Sequence, residues 1–97
     1  MKVILMKGAL RDAQEGLRWY RKRSDRAAEN FISEIESSLD NILQDPMRYR
    51  HIDPVFRTFR MDTYPYSLIY RIVPGAIKVY AIAHDKRRPD YWRGRKA

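Results

Sequence analysis

The stretch Tyr66-Ser67-Leu68-Ile69-Tyr70-Arg71-Ile72-Val73-Pro74-Gly75-Ala76-Ile77-Lys78-Val79-Tyr80-Ala81-Ile82-Ala83-His84 decides the architecture of this chain. Two runs dense in β-branched and aromatic residues flank Pro74-Gly75, a dipeptide that turns the backbone, so the stretch reads as a hairpin of strands Tyr66 to Val73 and Ile77 to Ala83. Phe56 to Met61 has the same character just upstream and completes a three-stranded antiparallel meander. Side-chain alternation sets Tyr66, Leu68, Tyr70 and Ile72 against Ser67, Ile69, Arg71 and Val73 in the middle strand. In the last strand it sets Ile77, Val79, Ala81 and Ala83 against Lys78, Tyr80, Ile82 and His84. Neither face is wholly polar, so the sheet needs cover on one side and invites a bound segment on the other.

The cover lies upstream. Leu10, Ala13, Leu17 and Tyr20 recur at three- and four-residue steps between Ala9 and Arg23, the pattern of an amphipathic helix. Ser24 and Asp25 are good N-cap types. Beyond them Ala28, Phe31, Ile32, Ile35, Leu39, Ile42 and Leu43 form a second helical stripe that ends before Pro46. With so short a link the two helices make an antiparallel hairpin, and their stripes pack on the sheet. Lys2 to Met6 adds a short N-terminal strand, with Gly8 after it. The expected fold is α+β: an N-terminal strand, a helical hairpin on a small antiparallel β-sheet, and a short basic C-terminal segment. Tyr66, Tyr70 and Trp19 are expected in the core.

The chain has 97 residues and a formal charge of +8 with no cysteine. That length supports one core, so residues 1–97 are expected to form one domain. Without cysteine there is no disulfide framework, thiolate metal site or cysteine nucleophile, and a reducing cytoplasm is the expected compartment. Val3 to Met6 is too short for a signal core or a membrane span. The charge is uneven: residues 1–45 hold 8 basic and 8 acidic side chains, whereas residues 46–97 hold 12 basic and 4 acidic. A cationic half of this kind is expected to meet something anionic, whether nucleic acid, ribosome, membrane surface or an acidic protein segment.

Catalytic motifs are scarce. Two histidines, no Gly-rich phosphate loop and no HExxH spacing give metal hydrolysis and nucleotide triphosphate chemistry nothing to stand on, and neither metal nor cofactor is expected. Asp53, Asp62, Asp85 and Asp90 sit beside turns or basic residues, where they cap and pair. What remains is a set of cations and phenols: Arg57, Arg60 and Arg71 on strands, then His84, Lys86, Arg87, Arg88 and Tyr91. Such groups can bind a scissile phosphate and manage the proton of a 2′-hydroxyl, or simply hold anions by charge-assisted hydrogen bonds. Arg57 and Arg60 face opposite sides of their strand, so only one can enter a shared site. Tyr91 and Trp92 have a structural alternative as a plug closing the end of the sheet.

Phe59-Arg60-Met61 with Tyr64-Pro65-Tyr66-Ser67-Leu68-Ile69-Tyr70-Arg71, and Ala81-Ile82-Ala83-His84 followed by Arg87-Arg88-Pro89-Asp90-Tyr91-Trp92, resemble the RelE/ParE superfamily of bacterial toxins. The order of elements agrees along the whole chain. The resemblance implies a type II toxin neutralised by a cognate antitoxin, through an extended or helical segment that wraps it, in a hetero-oligomer; charge complementarity with the basic half makes an acidic, amphipathic segment the expected one. Members resembling RelE cut messenger RNA on the ribosome. Arg60 and Arg87 match two positions of that set and Tyr91 approximates a third, with His84 as a further proton carrier, while Thr58 and Ser67 stand where that branch carries cations. Members resembling ParE act on DNA gyrase, and the Pro65-Tyr66 word and the His84 to Trp92 ending resemble sequences grouped with ParE or plasmid stabilisation proteins. The expected function is therefore ParE-like inhibition of gyrase and replication, with a ribosome-dependent endoribonuclease and a non-toxic nucleic-acid-binding module as alternatives. Arg57, Arg71, Lys86, Arg88, Trp92 and Arg93 are the expected target-binding residues.

Overall fold

The structure is a computed structural model that describes residues 1–95. Its elements run β1 (Lys2–Leu5), α1 (Lys7–Arg21), α2 (Asp25–Gln44), β2 (Arg57–Arg60), β3 (Tyr66–Val73) and β4 (Ala76–His84). The four strands form one sheet in the order β1-β4-β3-β2. β2, β3 and β4 are the antiparallel meander, while β1 joins β4 in parallel from Lys2↔Ala76 to Leu5↔Val79, which makes the sheet mixed. Parallel pairing follows from the long crossover through the helical hairpin, which returns the chain in its original direction.

Local chemistry accounts for the joints. Gly75 has φ of 76°, a left-handed conformation that a side chain resists, so Pro74-Gly75 closes the β3-β4 turn. The Ser24 hydroxyl accepts from the Ala27 N–H at 3.0 Å and starts α2 only a few residues after α1 ends. Glu34 on α2 accepts from the Thr63 N–H at 2.7 Å, fixing the β2-β3 connection under the hairpin. The free edge of β2 is shielded by its own upstream loop: His51 bridges Arg57, and the Thr58 N–H donates to the Arg50 carbonyl at 2.9 Å.

The core lies between hairpin and sheet, where Phe31, Ile42, Leu68, Tyr70, Ile77 and Val79 are fully buried. Each large apolar side chain withdrawn in this way contributes about 1.5–3 kcal/mol. Phe31 sits at the centre, its ring 4.9 Å from Tyr20, 5.4 Å from Tyr64 and 5.1 Å from Tyr66. Gly16 makes that approach possible, since a Cβ there would lie 2.7 Å from the Phe31 ring and 3.0 Å from the Tyr66 hydroxyl. The deepest positions of α1 are Ala9, Asp12 and Gly16, not the leucine stripe; Leu10 is 47% exposed.

A β-bulge in β4 changes the facing of its residues. Ile69 pairs with Ala81 but Tyr70 pairs with Val79, so Tyr80 is the extra residue. Ile77, Val79 and Ile82 therefore face the helices, while Ala81 and Ala83 join Ile69 on the opposite side. Strict alternation had placed Ile82 apart from Ile77 and Val79, and the bulge corrects it. The outer cluster is closed by Trp92, 4% exposed, whose ring lies 4.8 Å from Phe56, itself 5.2 Å from Tyr80.

Candidate functional site

The end of β4 and the C-terminal segment converge on a buried carboxylate that the sequence reading did not single out. Asp12 accepts from the Ile82 N–H at 3.0 Å, the Tyr91 hydroxyl at 2.9 Å and two nitrogens of Arg95 at 2.7 and 2.9 Å. Beyond Leu5 the β1-β4 ladder ends with one last bond, from the Met6 N–H to the Val79 carbonyl at 2.9 Å. Side chains take over there: Asp12 binds the Ile82 N–H, and Arg95 donates to the Tyr80 carbonyl at 3.0 Å. The edge of β4 that β1 leaves open is thus sealed by an ion pair. A Cβ on Gly8 would overlap the Arg95 side chain, so that glycine keeps the path of the tail clear. Burial, and then the Asp12 charge and hydrogen bond, push the Tyr91 phenol well above its ordinary value.

Beside this knot, α1 and the segment after β4 enclose a cleft of 340 Å³ whose walls include Glu15, Trp19, Tyr66, His84, Lys86 and Arg87. Gly16 and Tyr66 contribute to its floor. Burial raises the Tyr66 phenol to about 12, so it is a neutral hydrogen-bonding group at physiological pH. The His84 ring meets Tyr66 edge-on at 4.9 Å, and its Nδ1 faces the Lys86 N–H at 3.0 Å. Arg87 lies 4.0 Å from the Tyr91 ring centroid and 3.8 Å from Glu15.

His84, Lys86, Arg87 and Tyr91 therefore share one cleft, and the other predicted residues do not. Arg60 is bound to Asp85, whose carboxyl it holds below the usual range. Arg57 donates to the Met47 and Tyr49 carbonyls at 2.8 and 2.7 Å and fastens the loop after α2. Arg71 lies opposite Lys78 on the sheet, away from the cleft walls. Arg88 is exposed. Arg93 is held by Asp53 at 2.7 Å and Asp90 at 2.8 Å, and lies 4.5 Å from the Trp92 centroid. Trp92, expected among the target-binding residues, is buried in the outer cluster. The reverse correction applies to Trp19, expected in the core: it is 55% exposed, with the Arg23 guanidinium 4.9 Å from its ring centre.

A second concavity, of 260 Å³, runs between α1 and α2 and is lined by Leu5, Leu10, Ala13, Leu17, Ile32 and Leu39 among others. Leu10, Ile32 and Leu43 expose 47%, 39% and 39% of their surface, which leaves an apolar strip on the electrically balanced half of the chain. Among the described residues no group of three or more metal-ligating side chains occurs, and no helix is long and apolar enough to cross a membrane.

A helical hairpin on a four-stranded mixed sheet, with a basic C-terminal segment strapped back onto α1, is the architecture of a small toxin of the RelE/ParE type. A solved structure described as the chromosomal ParDE toxin-antitoxin system from P. aeruginosa has the same fold, with a TM-score of 0.77 over 87% of this chain and 95% of that one, at 17% identity. The family model of the ParE toxin of the type II toxin-antitoxin system parDE matches residues 3–89, and the chain belongs to that family. No curated protein matches the sequence significantly.

Proposed function

We propose that this ParE toxin acts by inhibiting DNA gyrase, and hence replication, and that a cognate antitoxin silences it by direct binding. Support comes from the committed state of the groups that a ribonuclease would need. Arg60 is paired with Asp85 and is not among the cleft residues, and the Tyr91 proton is held by Asp12, which leaves His84 and Arg87 without the remaining members of a phosphate-cleaving set. A surface that presents exposed cations without a proton relay is suited to gripping a partner.

The two concavities divide the labour in this reading. The apolar strip between α1 and α2 accepts the non-polar face of an antitoxin helix, with the antitoxin's acidic residues reaching the cationic side. Lys86, Arg87 and Arg88, exposed just past β4, are the residues we assign to gyrase contact. Purified toxin added to a supercoiling reaction is the test: inhibition that antitoxin reverses supports the reading, whereas normal supercoiling at saturating toxin rejects it. Cleavage of messenger RNA in a translation extract would instead establish the ribonuclease alternative.

A further inference from the structure

The cleft beside α1 has features that neither folding nor membership of the toxin family requires. Trp19 leaves 55% of its surface to solvent although burying the indole would stabilise the fold. Its neighbours in the cleft are two cations, Lys86 and Arg87, and two polar rings, Tyr66 and His84. His84 receives the Lys86 N–H on Nδ1, which places the ring proton on Nε2 as a further donor. The acidic members differ sharply. Asp12 is saturated by four hydrogen bonds, whereas Glu15 is 51% exposed and meets Arg87 only at 3.8 Å, leaving its oxygens able to accept from a ligand.

A half-exposed indole that carries Arg23 4.9 Å from its ring centre, a pair of cations and a half-exposed carboxylate only loosely paired with Arg87 surround one small cavity and match the three parts of a nucleotide. We propose that the cleft binds a single guanine nucleotide unit, with the base on Trp19, its N1–H and exocyclic amine donating to Glu15, and the phosphate on Lys86 and Arg87. Base-on-indole stacking and charge-assisted bonds to phosphate are the ordinary means of holding such a ligand. A carboxylate accepts from the two donors of the guanine edge but meets a lone pair at N1 of adenine, so Glu15 discriminates between the two purines. The volume of 340 Å³ lies near the lower end of the roughly 300–1,000 Å³ typical of small-molecule sites, which suits one nucleotide. Binding breaks no bond, and the Tyr91 hydroxyl keeps its proton while donating to Asp12.

The site does not depend on the gyrase reading, and its test uses the purified full chain without gyrase or antitoxin. Calorimetric titration with 5′-GMP, 5′-AMP, guanosine and inorganic phosphate is compared with a five-nucleotide single strand containing one guanine. Saturable binding of 5′-GMP with Kd below about 1 mM is expected, with guanosine and 5′-AMP each at least about tenfold weaker and phosphate alone showing no saturation. Trp19→Ala and Arg87→Ala each weaken 5′-GMP at least about tenfold, and Glu15→Gln removes the preference over 5′-AMP. A strand that binds tenfold more tightly than 5′-GMP identifies single-stranded nucleic acid as the source, and equal affinity identifies the free nucleotide. Absence of saturable 5′-GMP binding at about 10 mM, or affinity unchanged in folded Trp19→Ala protein, overturns the proposal. Neither result touches gyrase inhibition, which is read in a separate reaction.

Discussion

Asp12 on the first helix and Arg95 in the C-terminal segment, 83 residues apart, meet through two hydrogen bonds of 2.7 and 2.9 Å. Together they seal the edge of β4 that β1 leaves unpaired. Their side chains are 3% and 21% exposed, so removing one partner strands a charge that water cannot reach freely. Asp12→Ala should cost about 3–5 kcal/mol. In a domain of this size that corresponds to a fall in Tm of about 12–40 °C. Arg95→Ala should cost less, because Asp12 keeps the Ile82 N–H and the Tyr91 hydroxyl. Thermal unfolding of the two variants checks the order; equal and negligible effects would contradict the structural role of the pair.

The two tryptophans should behave oppositely. Trp92→Ala empties a site 4% exposed and should destabilise by about 3–5 kcal/mol. Trp19→Ala removes a ring that is mostly outside the packed interior and should cost about 1 kcal/mol or less. Denaturant midpoints of both variants measure the difference.

Gly16→Ala pits helix propensity against space. Alanine gains about 1 kcal/mol in a helix interior. Overpacking against the Phe31 ring costs about 1–3 kcal/mol, and Phe31, fully buried, has nowhere to yield. A net loss on the order of 1 kcal/mol is expected in the denaturant midpoint, and a gain would show that the ring can move.

Stability should change at both ends of the pH scale. Backbone N–H donation from Phe56, then Arg93 and the Val55 N–H, lowers Asp53 to about 2. A lowered carboxyl stabilises the fold above its ordinary value and loses that contribution as pH falls from about 4 toward about 2, so Asp53→Asn should flatten the acid limb over that interval. Burial raises Tyr66 and Tyr70 to about 12 and Tyr91 further. Raised phenols contribute fully below about pH 10 and lose that contribution as pH climbs through their folded values. Spectrophotometric titration should therefore show these tyrosines ionising only with alkaline unfolding.

Much of this was legible in the sequence because the period of the apolar residues differs between its halves. β3 follows Tyr66–Val73 as read, since alternation and Pro74-Gly75 fix both its facing and its end. The bulge at Tyr80 was hidden, as one extra residue reverses facing without altering composition. Asp12 was passed over and Trp19 misplaced for a related reason. A helix shows which residues share a face but not where the sheet beneath it ends, and α1 buries an aspartate over the open edge of β4 while its indole borders the cleft. The available signal for Asp12 was a lone acid at the three-residue step from Ala9 and the four-residue step to Gly16, with arginines waiting in the tail. Several of the predicted cations are engaged by partners far away in sequence, as Arg60 is by Asp85 and Arg93 by Asp53.

The most direct measurement of the central claim is supercoiling of relaxed plasmid by purified gyrase in the presence of this protein. Dose-dependent inhibition is expected, reversed by the cognate antitoxin and weakened at least about tenfold by a Lys86→Ala/Arg87→Ala double substitution that leaves the Tm unchanged. Full supercoiling at saturating protein, with growth arrest still observed when the gene is induced, would contradict the account and move the target away from gyrase.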